Sequence, residues 1–391
     1  MEKVLKSEVV VIGGGVIGSS IAYYLSKQGV SVILLEKRGI CLGTSGACDG
    51  LCFVQSKKPG IISKMALESF KEFEKLSKSL PHPIYYQRKG GLVLIENEFE
   101  RKIMEEFVNR QREHGIDIRL IDLEEAKKYC PLISDDLAGA TYSPLDGQVD
   151  PMHLNIAFLE GIRMYGNEII FGSEVEKIVV ENKSVKEVKT KNGLRIKTDI
   201  VVNAAGVESP LIGKMLGINI PVIPKRGQLL VTEKLPPLIK VPILNAKYIC
   251  VKLNPDVLKD MDEKMKRMGV GLVVEQTEAG TILIGSTREY VGFNKNVTFD
   301  GMKLIAKNLL RYLPKLGTFN IIRAFAGLRP STPDGYPILG PTKKIEGFIV
   351  ATGHEGDGIA LSPITGKLIS EIIIRGKSSI PIDLFSPDRF N

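Results

Sequence analysis

Three glycines near the start of the chain have the type and spacing needed to hold a dinucleotide. Gly13, Gly15 and Gly18 satisfy the pattern G-x-G-x-x-G directly after the apolar, β-branched run at residues 9–12. Gly13 allows a tight turn, Gly15 lets the backbone approach a pyrophosphate, and Gly18 permits close packing of a helix on a strand. The free N–H groups at the start of that helix would stabilise the phosphate charge.

An acidic residue completes this pattern at the expected distance. Gly29 ends the predicted helix, and Glu36 closes the second strand with a carboxylate that suits the hydroxyls of a ribose. Because the same carboxylate would repel a 2′-phosphate, the pattern indicates NAD or FAD. The strand–turn–helix–strand context favours this interpretation over a glycine-rich core turn that binds nothing.

A second glycine-rich loop near the C-terminus favours FAD over NAD. Residues 348–351 are predicted to form a buried strand, 353–358 a loop, and Ile359 onward a helix with Pro363 in its first turn. The N-terminus of such a helix would stabilise the negative charge that builds on a flavin ring during reduction. A nicotinamide does not need a second, distant loop of this kind.

Arg329, in the sequence GLRP, is the strongest candidate for binding a substrate. Its guanidinium can hold a carboxylate through two parallel hydrogen bonds and so fix a substrate over the flavin. A surface or core ion pair is the alternative role for this residue. The formal net charge of +8 also favours anionic partners such as carboxylates. The lysines are scattered among glutamates, so we expect no nucleic-acid partner.

Composition places the chain among ordinary globular proteins. Its 391 residues, 25% charged and 43% hydrophobic, are enough for two compact domains. We find no apolar run of about 18–20 residues, so no membrane span is expected. The first strand begins within ten residues, which leaves no room for a cleavable signal peptide, and we predict a cytoplasmic protein.

Five cysteines, an odd number, fit a reducing compartment better than a disulfide framework. Cys41, Cys48 and Cys52 lie close together, but their spacing matches neither a zinc ribbon nor a ferredoxin motif. We interpret them as small buried residues beside the cofactor and predict no metal site.

The chain alternates between two kinds of pattern. A helix with a one-sided apolar face is predicted at residues 62–80, and short strands (Tyr85–Tyr86 and 92–95) with two helices follow up to residue 142, the second helix capped by Asp122 and Glu125. Asp150 and Pro151 cap a helix that ends near Gly166, Asn192-Gly193 marks a hairpin, and residues 199–206 form a second buried strand. Residues 221–324 are read as β-rich with a helical excursion at 255–268.

Four motifs taken together resemble the D-amino-acid oxidase superfamily of flavoproteins, which includes glycine oxidase and sarcosine oxidase. They are the N-terminal fingerprint, VNAAG, GLRPSTPDG and ATGHEGDGIALSPITGKLI, and they span nearly the whole chain. The resemblance implies an α/β protein in which a discontinuous Rossmann-like FAD-binding domain carries an inserted α+β substrate domain with a mixed sheet. We assign residues 1–80, 142–220 and 325–391 to the FAD-binding domain, and 81–141 and 221–324 to the substrate-binding domain.

Within this superfamily, SGACDG and GHEGDGI are similar to the catalytic subunits of multi-subunit dehydrogenases for hydrogen cyanide synthesis, L-proline and hydroxyproline. That likeness implies a partner subunit that carries electrons away; a homo-oligomer is the alternative. FAD is expected to be non-covalent, because the loop near residue 50 has no histidine and no cysteine follows Cys250.

The resemblance also implies the reaction. It is oxidation of the C–N bond of a small amino or imino acid, with hydride transfer from Cα to flavin N5 giving an imine. Substrates of this type include proline, hydroxyproline, sarcosine, glycine and D-amino acids; oxygen and a partner both remain open as electron acceptor. A flavin monooxygenase or NAD(P)H-dependent flavin reductase is one alternative, although a single nucleotide fingerprint counts against it. A non-catalytic FAD-binding assembly subunit is another.

The predicted site combines these inferences. By resemblance, Arg329 holds the substrate carboxylate, and Tyr248 either occupies the pocket as a catalytic and substrate-binding residue or packs in a strand. His354 is assigned contacts with flavin and substrate and no proton transfer. The full set of predicted cofactor-binding residues is Gly13, Gly15, Val16, Ile17, Gly18, Glu36, Lys37, Thr44, Ser45, Gly46, Ala47, Asp49, Gly50, Val175, Ala204, Ala205, Gly206, Gly327, Arg329, Gly353, His354, Glu355, Gly356, Asp357, Gly358 and Ile359.

Overall fold

The computed structural model describes residues 4–259 and 261–390. Within these ranges the α-helices are α1 (Val16–Lys27), α2 (Ile61–Ser79), α3 (Glu98–Glu113), α4 (Leu123–Tyr129), α5 (Pro151–Met164), α6 (Ser209–Lys214), α7 (Lys247–Leu253), α8 (Glu263–Arg267), α9 (Phe299–Tyr312) and α10 (Gly358–Arg375). The strands are β1 (Val4–Lys6), β2 (Val9–Ile12), β3 (Val32–Glu36), β4 (Leu51–Cys52), β5 (Gly91–Ile95), β6 (Arg119–Ile121), β7 (Gly139–Ser143), β8 (Gly147–Gln148), β9 (Glu168–Phe171), β10 (Val175–Glu181), β11 (Ser184–Thr190), β12 (Arg195–Lys197), β13 (Ile200–Asn203), β14 (Ile223–Lys234), β15 (Ile243–Asn245), β16 (Val273–Gln276), β17 (Thr281–Gly285), β18 (Ile321–Ser331), β19 (Ile338–Pro341) and β20 (Phe348–Thr352).

A six-stranded sheet in the order β19-β20-β13-β2-β3-β9 forms the centre of the first half of the molecule. Its strands run parallel except for the edge strand β19. Val9 and Val11 face a core shared with α1, α2, α5 and α10, whereas Val10 and Ile12 face the four-stranded sheet β1-β12-β11-β10. Because both faces are covered, β2 is apolar at every position, as the sequence pattern indicates.

An eight-stranded mixed sheet in the order β18-β14-β17-β16-β15-β5-β7-β6 forms the second half. Helices α4 and α9 contribute to the core on one of its faces, and α3 and α7 contribute to the core on the other. The prediction of an α/β fold with a parallel sheet and a second, mixed sheet is confirmed. The exact domain boundaries stay a prediction; β18 itself crosses residue 325.

Several local predictions are confirmed by hydrogen bonds. The Asp122 side chain accepts from the Glu125 N–H at the start of α4, and Asp150 accepts from the Met152 and His153 N–H groups at the start of α5. The turn at residues 192–193 joins the antiparallel strands β11 and β12. Short-range capping rules are sufficient at these sites because the partners lie within three residues of each other.

Other local predictions are wrong. Residues 85–86 form no strand, and the region 221–324 contains α7 and α9 in addition to the predicted helical excursion. Helix α9 has a recognisable signal, since Thr298 caps it and Leu304, Ile305 and Leu309 share its buried face. The sequence analysis overlooked the helical spacing of these apolar residues because strands dominate the surrounding segment.

Pro363 lies at the sixth residue of α10 and not in its first turn, because the helix already begins at Gly358. Proline has no N–H to donate to the carbonyl of Ile359. The Ser362 hydroxyl donates to that carbonyl instead, at 2.9 Å. The helix therefore continues through the proline to Arg375.

None of the helices in the described part of the chain combines the length and apolar character that a membrane-spanning helix needs.

Candidate active site

A cavity of about 570 Å³ lies at the carboxyl ends of the parallel strands. Gly13 follows β2, Glu36 ends β3, Ala204 follows β13 and Gly353 follows β20, so one edge of the sheet collects residues from all parts of the chain. Ligands bind at this edge in open α/β sheets. The cavity extends from the first glycine turn to Arg329 and the loop at residues 353–358.

The glycine turn is closely packed. Gly13 has a φ of +110°, and a Cβ there would lie 2.5 Å from the carbonyl oxygen of Ala204. A Cβ at Gly18 would lie 2.0 Å from the Gly13 oxygen and 3.2 Å from the Ala204 Cβ. A Cβ at Gly15 would have only Ser45 Oγ nearby, at 3.4 Å. Gly13 and Gly18 are therefore required by the protein's own packing, whereas Gly15 leaves open space in the cavity.

Glu36 is fixed by two backbone donors. Its Oε2 accepts from the Gly14 N–H at 2.9 Å and its Oε1 accepts from the Arg38 N–H at 2.8 Å. The carboxylate is thereby held at the cavity wall, and each oxygen keeps a lone pair for another donor.

The small-residue loop after β3 joins the two ends of the cavity. Ser45 Oγ accepts from the Val16 N–H at 3.0 Å, and Thr44 Oγ1 donates to the Leu328 oxygen at 2.6 Å. A Cβ at Gly327 would lie 2.2 Å from the Ala47 oxygen. This loop therefore packs between helix α1 and strand β18.

Arg329 lies at the far end of the cavity. Its Nη1 donates to the Thr287 oxygen at 3.0 Å and its Nη2 to Ser286 Oγ at 2.9 Å. No carboxylate that the structure describes lies within ion-pair distance of this guanidinium. Burial lowers the pKa of Arg329, but a guanidinium remains charged at neutral pH. The cavity thus ends at a half-buried cation that is oriented and has donors to spare.

A protein family described as FAD dependent oxidoreductase, abbreviated DAO, matches residues 8–372. The chain belongs to this family. FAD is therefore its cofactor, and the resemblance inferred from the four motifs is confirmed.

Individual relatives and solved structures match over nearly their full length. Hydrogen cyanide synthase subunit HcnC of Pseudomonas protegens is 30% identical over 96% of this chain and 94% of its own. Glycine oxidase of Bacillus subtilis is 28% identical over 94% and 93%. The crystal structure of L-proline dehydrogenase from P. horikoshii has a TM-score of 0.87 and 28% identity over 99% and 98% of the two chains.

The cavity of this DAO-family protein fits FAD. Helices α1 and α10 both begin at it, and neither has a side-chain hydrogen bond from its N-cap residue. At α1 the Val16 N–H already donates to Ser45 Oγ, so the N–H groups that follow it, together with those at the start of α10, are the ones that could bind acceptors at two separated points of one ligand. The missing Cβ at Gly15 leaves room for the close backbone approach that a pyrophosphate requires.

Most predicted cofactor residues of this DAO-family chain line the cavity, and their contacts with FAD stay a prediction. Those that line it are Gly13, Gly15, Val16, Ile17, Glu36, Lys37, Thr44, Ser45, Ala47, Asp49, Val175, Ala204, Ala205, Gly206, Gly327, Arg329, Gly353, His354, Glu355, Gly356, Gly358 and Ile359. Gly18, Gly46, Gly50 and Asp357 are not among the lining residues: Gly18 and Gly46 pack against backbone, Gly50 donates to Glu275, and Asp357 pairs with Lys57.

His354 is buried, and its Nε2 lies 3.1 Å from the Thr365 hydroxyl. Burial lowers the pKa of this imidazole to about 4. The ring is therefore neutral at physiological pH, where it is a weak base. This environment agrees with a contact role in the cavity wall and gives no support to proton transfer.

Tyr248 lies in α7, so the strand considered for it is wrong. It is not among the residues that line the cavity in the described structure. Its ring lies between two cations, with the Lys252 Nζ 4.0 Å and the Arg288 guanidinium carbon 4.6 Å from the ring centroid. A catalytic role for Tyr248 stays a prediction.

The clustered cysteines all carry protonated thiols, but only Cys52 is fully buried, whereas Cys41 and Cys48 are half-buried. Cys41 and Cys48 line the cavity and Cys52 is in the core, and burial raises the thiol pKa of all three. The cysteines are unpaired, and no group of three or more metal-ligating side chains is assembled in residues 4–259 and 261–390.

Sequence reasoning missed Lys57, whose buried ammonium forms an ion pair with Asp357 at 2.5 Å. Burial disfavours the charged form, but the Asp357 carboxylate outweighs it, so the pKa of Lys57 is raised. The pair ties the loop before α2 to the start of α10 across 300 positions of sequence. A lysine in an unremarkable segment (QSKKPG) gives no local signal of such a role.

Glu275 was also missed. Its two carboxyl oxygens accept from the Gly50 N–H at 3.0 and 3.1 Å, deep behind the cavity. Burial raises the pKa of Glu275 to about 8, and the nearby Asp49 carboxylate adds to the rise. A neutral carboxylic acid therefore supports the loop at residues 43–50 at pH 7.

We expect this acid to make stability fall as pH rises from about 4.5 to 8. In that window the unfolded chain has released the Glu275 proton and the folded chain retains it, so folding loses up to about 1.4 kcal/mol per pH unit. Glu275→Gln, a neutral isostere, should remove this part of the slope and unfold at higher denaturant than the unchanged protein above pH 8. Urea unfolding at pH 5 to 9 measures both; parallel stability curves for the two proteins would contradict the assignment.

Proposed function

We propose that this DAO-family protein oxidises the C–N bond of a small amino or imino acid. The observation that carries the proposal is Arg329, an oriented guanidinium at the end of the cavity with no carboxylate partner within 4 Å among the described residues. A substrate carboxylate is the partner that such a group lacks. The names of the relatives, glycine oxidase and L-proline dehydrogenase, support the same class of substrate.

The residues of this chain would act by binding and positioning. Arg329 holds the carboxylate, and its own bonds to Thr287 and Ser286 keep the guanidinium from turning. FAD, when bound, supplies the oxidant that takes a hydride from the carbon beside nitrogen and leaves an imine. His354 stays neutral in the wall, and no strong side-chain base is needed if the amine enters uncharged.

We further propose that the protein passes electrons to a partner subunit in the cytoplasm. The similarity to a hydrogen cyanide synthase subunit supports a partner, and five unpaired cysteines support a reducing compartment. Turnover with an artificial dye acceptor that greatly exceeds turnover with oxygen would be expected from such a subunit. Full turnover in air by a lone 43 kDa species would contradict it.

Anaerobic bleaching of the flavin tests the central proposal. We expect a yellow purified protein whose visible absorbance is lost on adding at least one member of a panel of glycine, sarcosine, proline, hydroxyproline and D- and L-amino acids. Reduction by NADPH with no amine present would instead favour a monooxygenase or flavin reductase. A protein that binds FAD and is bleached by none of these compounds would contradict amine oxidation.

A further inference from the structure

Glu355 brings a carboxylate into the cavity wall beside the carboxylate-binding candidate. Lys225 is the cross-strand partner of Arg329 in the pair β14–β18, so both side chains leave the sheet on the same face. The Lys225 ammonium forms an ion pair with Glu355 at 2.5 Å. The Glu355 N–H donates to the Pro330 oxygen at 3.0 Å, one residue beyond Arg329. Two separate contacts therefore hold Glu355 next to Arg329.

The two opposite charges lie close together without forming an ion pair. A Cβ at Gly356 would lie 3.7 Å from Arg329 Nε, so the loop after Glu355 runs along the guanidinium. In the described structure the Glu355 carboxylate nevertheless pairs with Lys225 and is more than 4 Å from that guanidinium. Both groups line the cavity. The wall thus offers a cation and an anion side by side, which complements the carboxylate and the amine of one amino acid.

The Glu355 carboxylate can accept a further hydrogen bond. Of the residues that the structure describes, only Lys225 donates to it, through Oε1. An ionised carboxylate has about four acceptor sites, so those of Oε2 are open to a ligand. Burial raises the pKa of Glu355, but the Lys225 ammonium outweighs burial and the pKa is lowered. The group is therefore an anion at neutral pH.

The backbone of Glu355 favours a different residue type. Its φ is +49°, in the left-handed region that glycine adopts readily and glutamate rarely adopts. Residues 353, 356 and 358 of the same loop are glycines. A side chain kept at an unfavourable backbone position, facing a cavity, indicates a role toward a ligand.

We propose that Glu355 binds the amine nitrogen of the substrate while Arg329 binds its carboxylate. The inference rests on the proposed function and extends it: Glu355 Oε2 accepts a hydrogen bond from the N–H of the amine, and Lys225 fixes the carboxylate through Oε1. An uncharged tertiary amine has no hydrogen on nitrogen and cannot make this bond. The substrate class is thus a small amino or imino acid whose amine is primary or secondary.

Each substrate that bleaches the flavin is compared with the acid that lacks its amine: acetate for glycine, propionate for alanine, tetrahydro-2-furoate for proline. The acid reports binding through the carboxylate alone, as a competitive inhibitor. On the FAD-loaded enzyme we expect Glu355→Gln to lower kcat/KM for the amine about 30-fold, the range of a hydrogen bond to a charged group, and to change the inhibition constant of the acid less than about 3-fold. The flavin absorbance of the purified variant should match that of the unchanged enzyme.

N-methylation tests the substrate class on the unchanged enzyme. The best substrate should lose at least about 10-fold in kcat/KM when its amine is made tertiary, as in N,N-dimethylglycine against sarcosine or N-methylproline against proline. Glu355→Gln should narrow this difference, because the charged acceptor is gone. A tertiary amine used as well as its secondary counterpart by the unchanged enzyme would overturn the proposal.

Glu187→Gln is the matched control, because Glu187 forms an ion pair with Arg195 in the separate sheet β1-β12-β11-β10. It should leave the constants of amine and acid unchanged. Asp49 is the rival acid in the cavity wall, although it accepts from the Leu51 N–H of its own loop at 3.4 Å. A selective loss in Asp49→Asn with none in Glu355→Gln would give the role to Asp49.

Two further outcomes separate this inference from the proposed function. Equal losses for amine and acid in Glu355→Gln would overturn the role of Glu355 alone, because they would mark a general change in the cavity. Failure of every amine to bleach the flavin of the unchanged enzyme would overturn the proposed function and this inference with it.

Discussion

Replacing Arg329 with methionine is expected to lower kcat/KM for the amino-acid substrate about 1000-fold while FAD stays bound. Truncating one partner of a buried charge pair costs about 4 kcal/mol, which corresponds to this factor. The loss should appear both in KM and in the rate of flavin reduction, because the carboxylate contact positions the reacting carbon as well as binding it. Anaerobic stopped-flow measurement of flavin bleaching separates the two.

Two comparison variants make this result interpretable. Arg329→Lys retains a charge but loses the two-pronged geometry, so it should recover only part of the rate. Arg323→Met removes an exposed arginine from the same strand and should behave as the unchanged enzyme. A non-catalytic assembly subunit would be indifferent to all three substitutions, and that outcome would end the enzymatic proposal.

The second large effect is expected from Gly18→Ala, which should lower the free energy of unfolding by about 3 kcal/mol and yield protein depleted of FAD. The added methyl would lie 2.0 Å from the Gly13 oxygen, and the helix must move away from the sheet to admit it. That movement displaces the turn that faces the pyrophosphate. Urea unfolding of the FAD-free protein and the flavin content after purification measure the two effects.

Gly15→Ala is the control within the same turn. Its new Cβ makes only an ordinary contact, 3.4 Å from Ser45 Oγ, so the FAD-free protein should keep its stability within about 0.5 kcal/mol. If Gly15→Ala and Gly18→Ala destabilise the FAD-free protein equally, close packing of α1 on β2 is not the reason for the second glycine.

The geometry of the cavity end around the first glycine turn, to which we assign the adenosine half of the cofactor, was predictable because its parts are neighbours in sequence. The contact between Gly14 and Glu36 spans only 22 positions, and the close packing at Gly13 and Gly18 excludes any side chain. The same holds for the caps at Asp122 and Asp150, whose partners lie within three residues. Tyr248 shows the limit: the sequence left it either in the pocket or in a strand, and the structure places it in helix α7 with its ring against the Arg288 guanidinium.

The sequence by itself determined the α/β fold, the dinucleotide turn, the choice of FAD and the candidate arginine at 329, because local backbone conformation and helix dipoles depend on residues close together in the chain. Only the tertiary structure decided which charged side chains are paired within the protein and which are not. Lys57 meets Asp357 across 300 positions, and Glu275 meets Gly50 across 225. Arg329 meets Ser286 across 43 positions by the same long-range folding. Burial and ion pairing decide whether such a group is charged and whether its charge has a partner. Burial and pairing depend in turn on distances between residues far apart in sequence, which no local pattern contains.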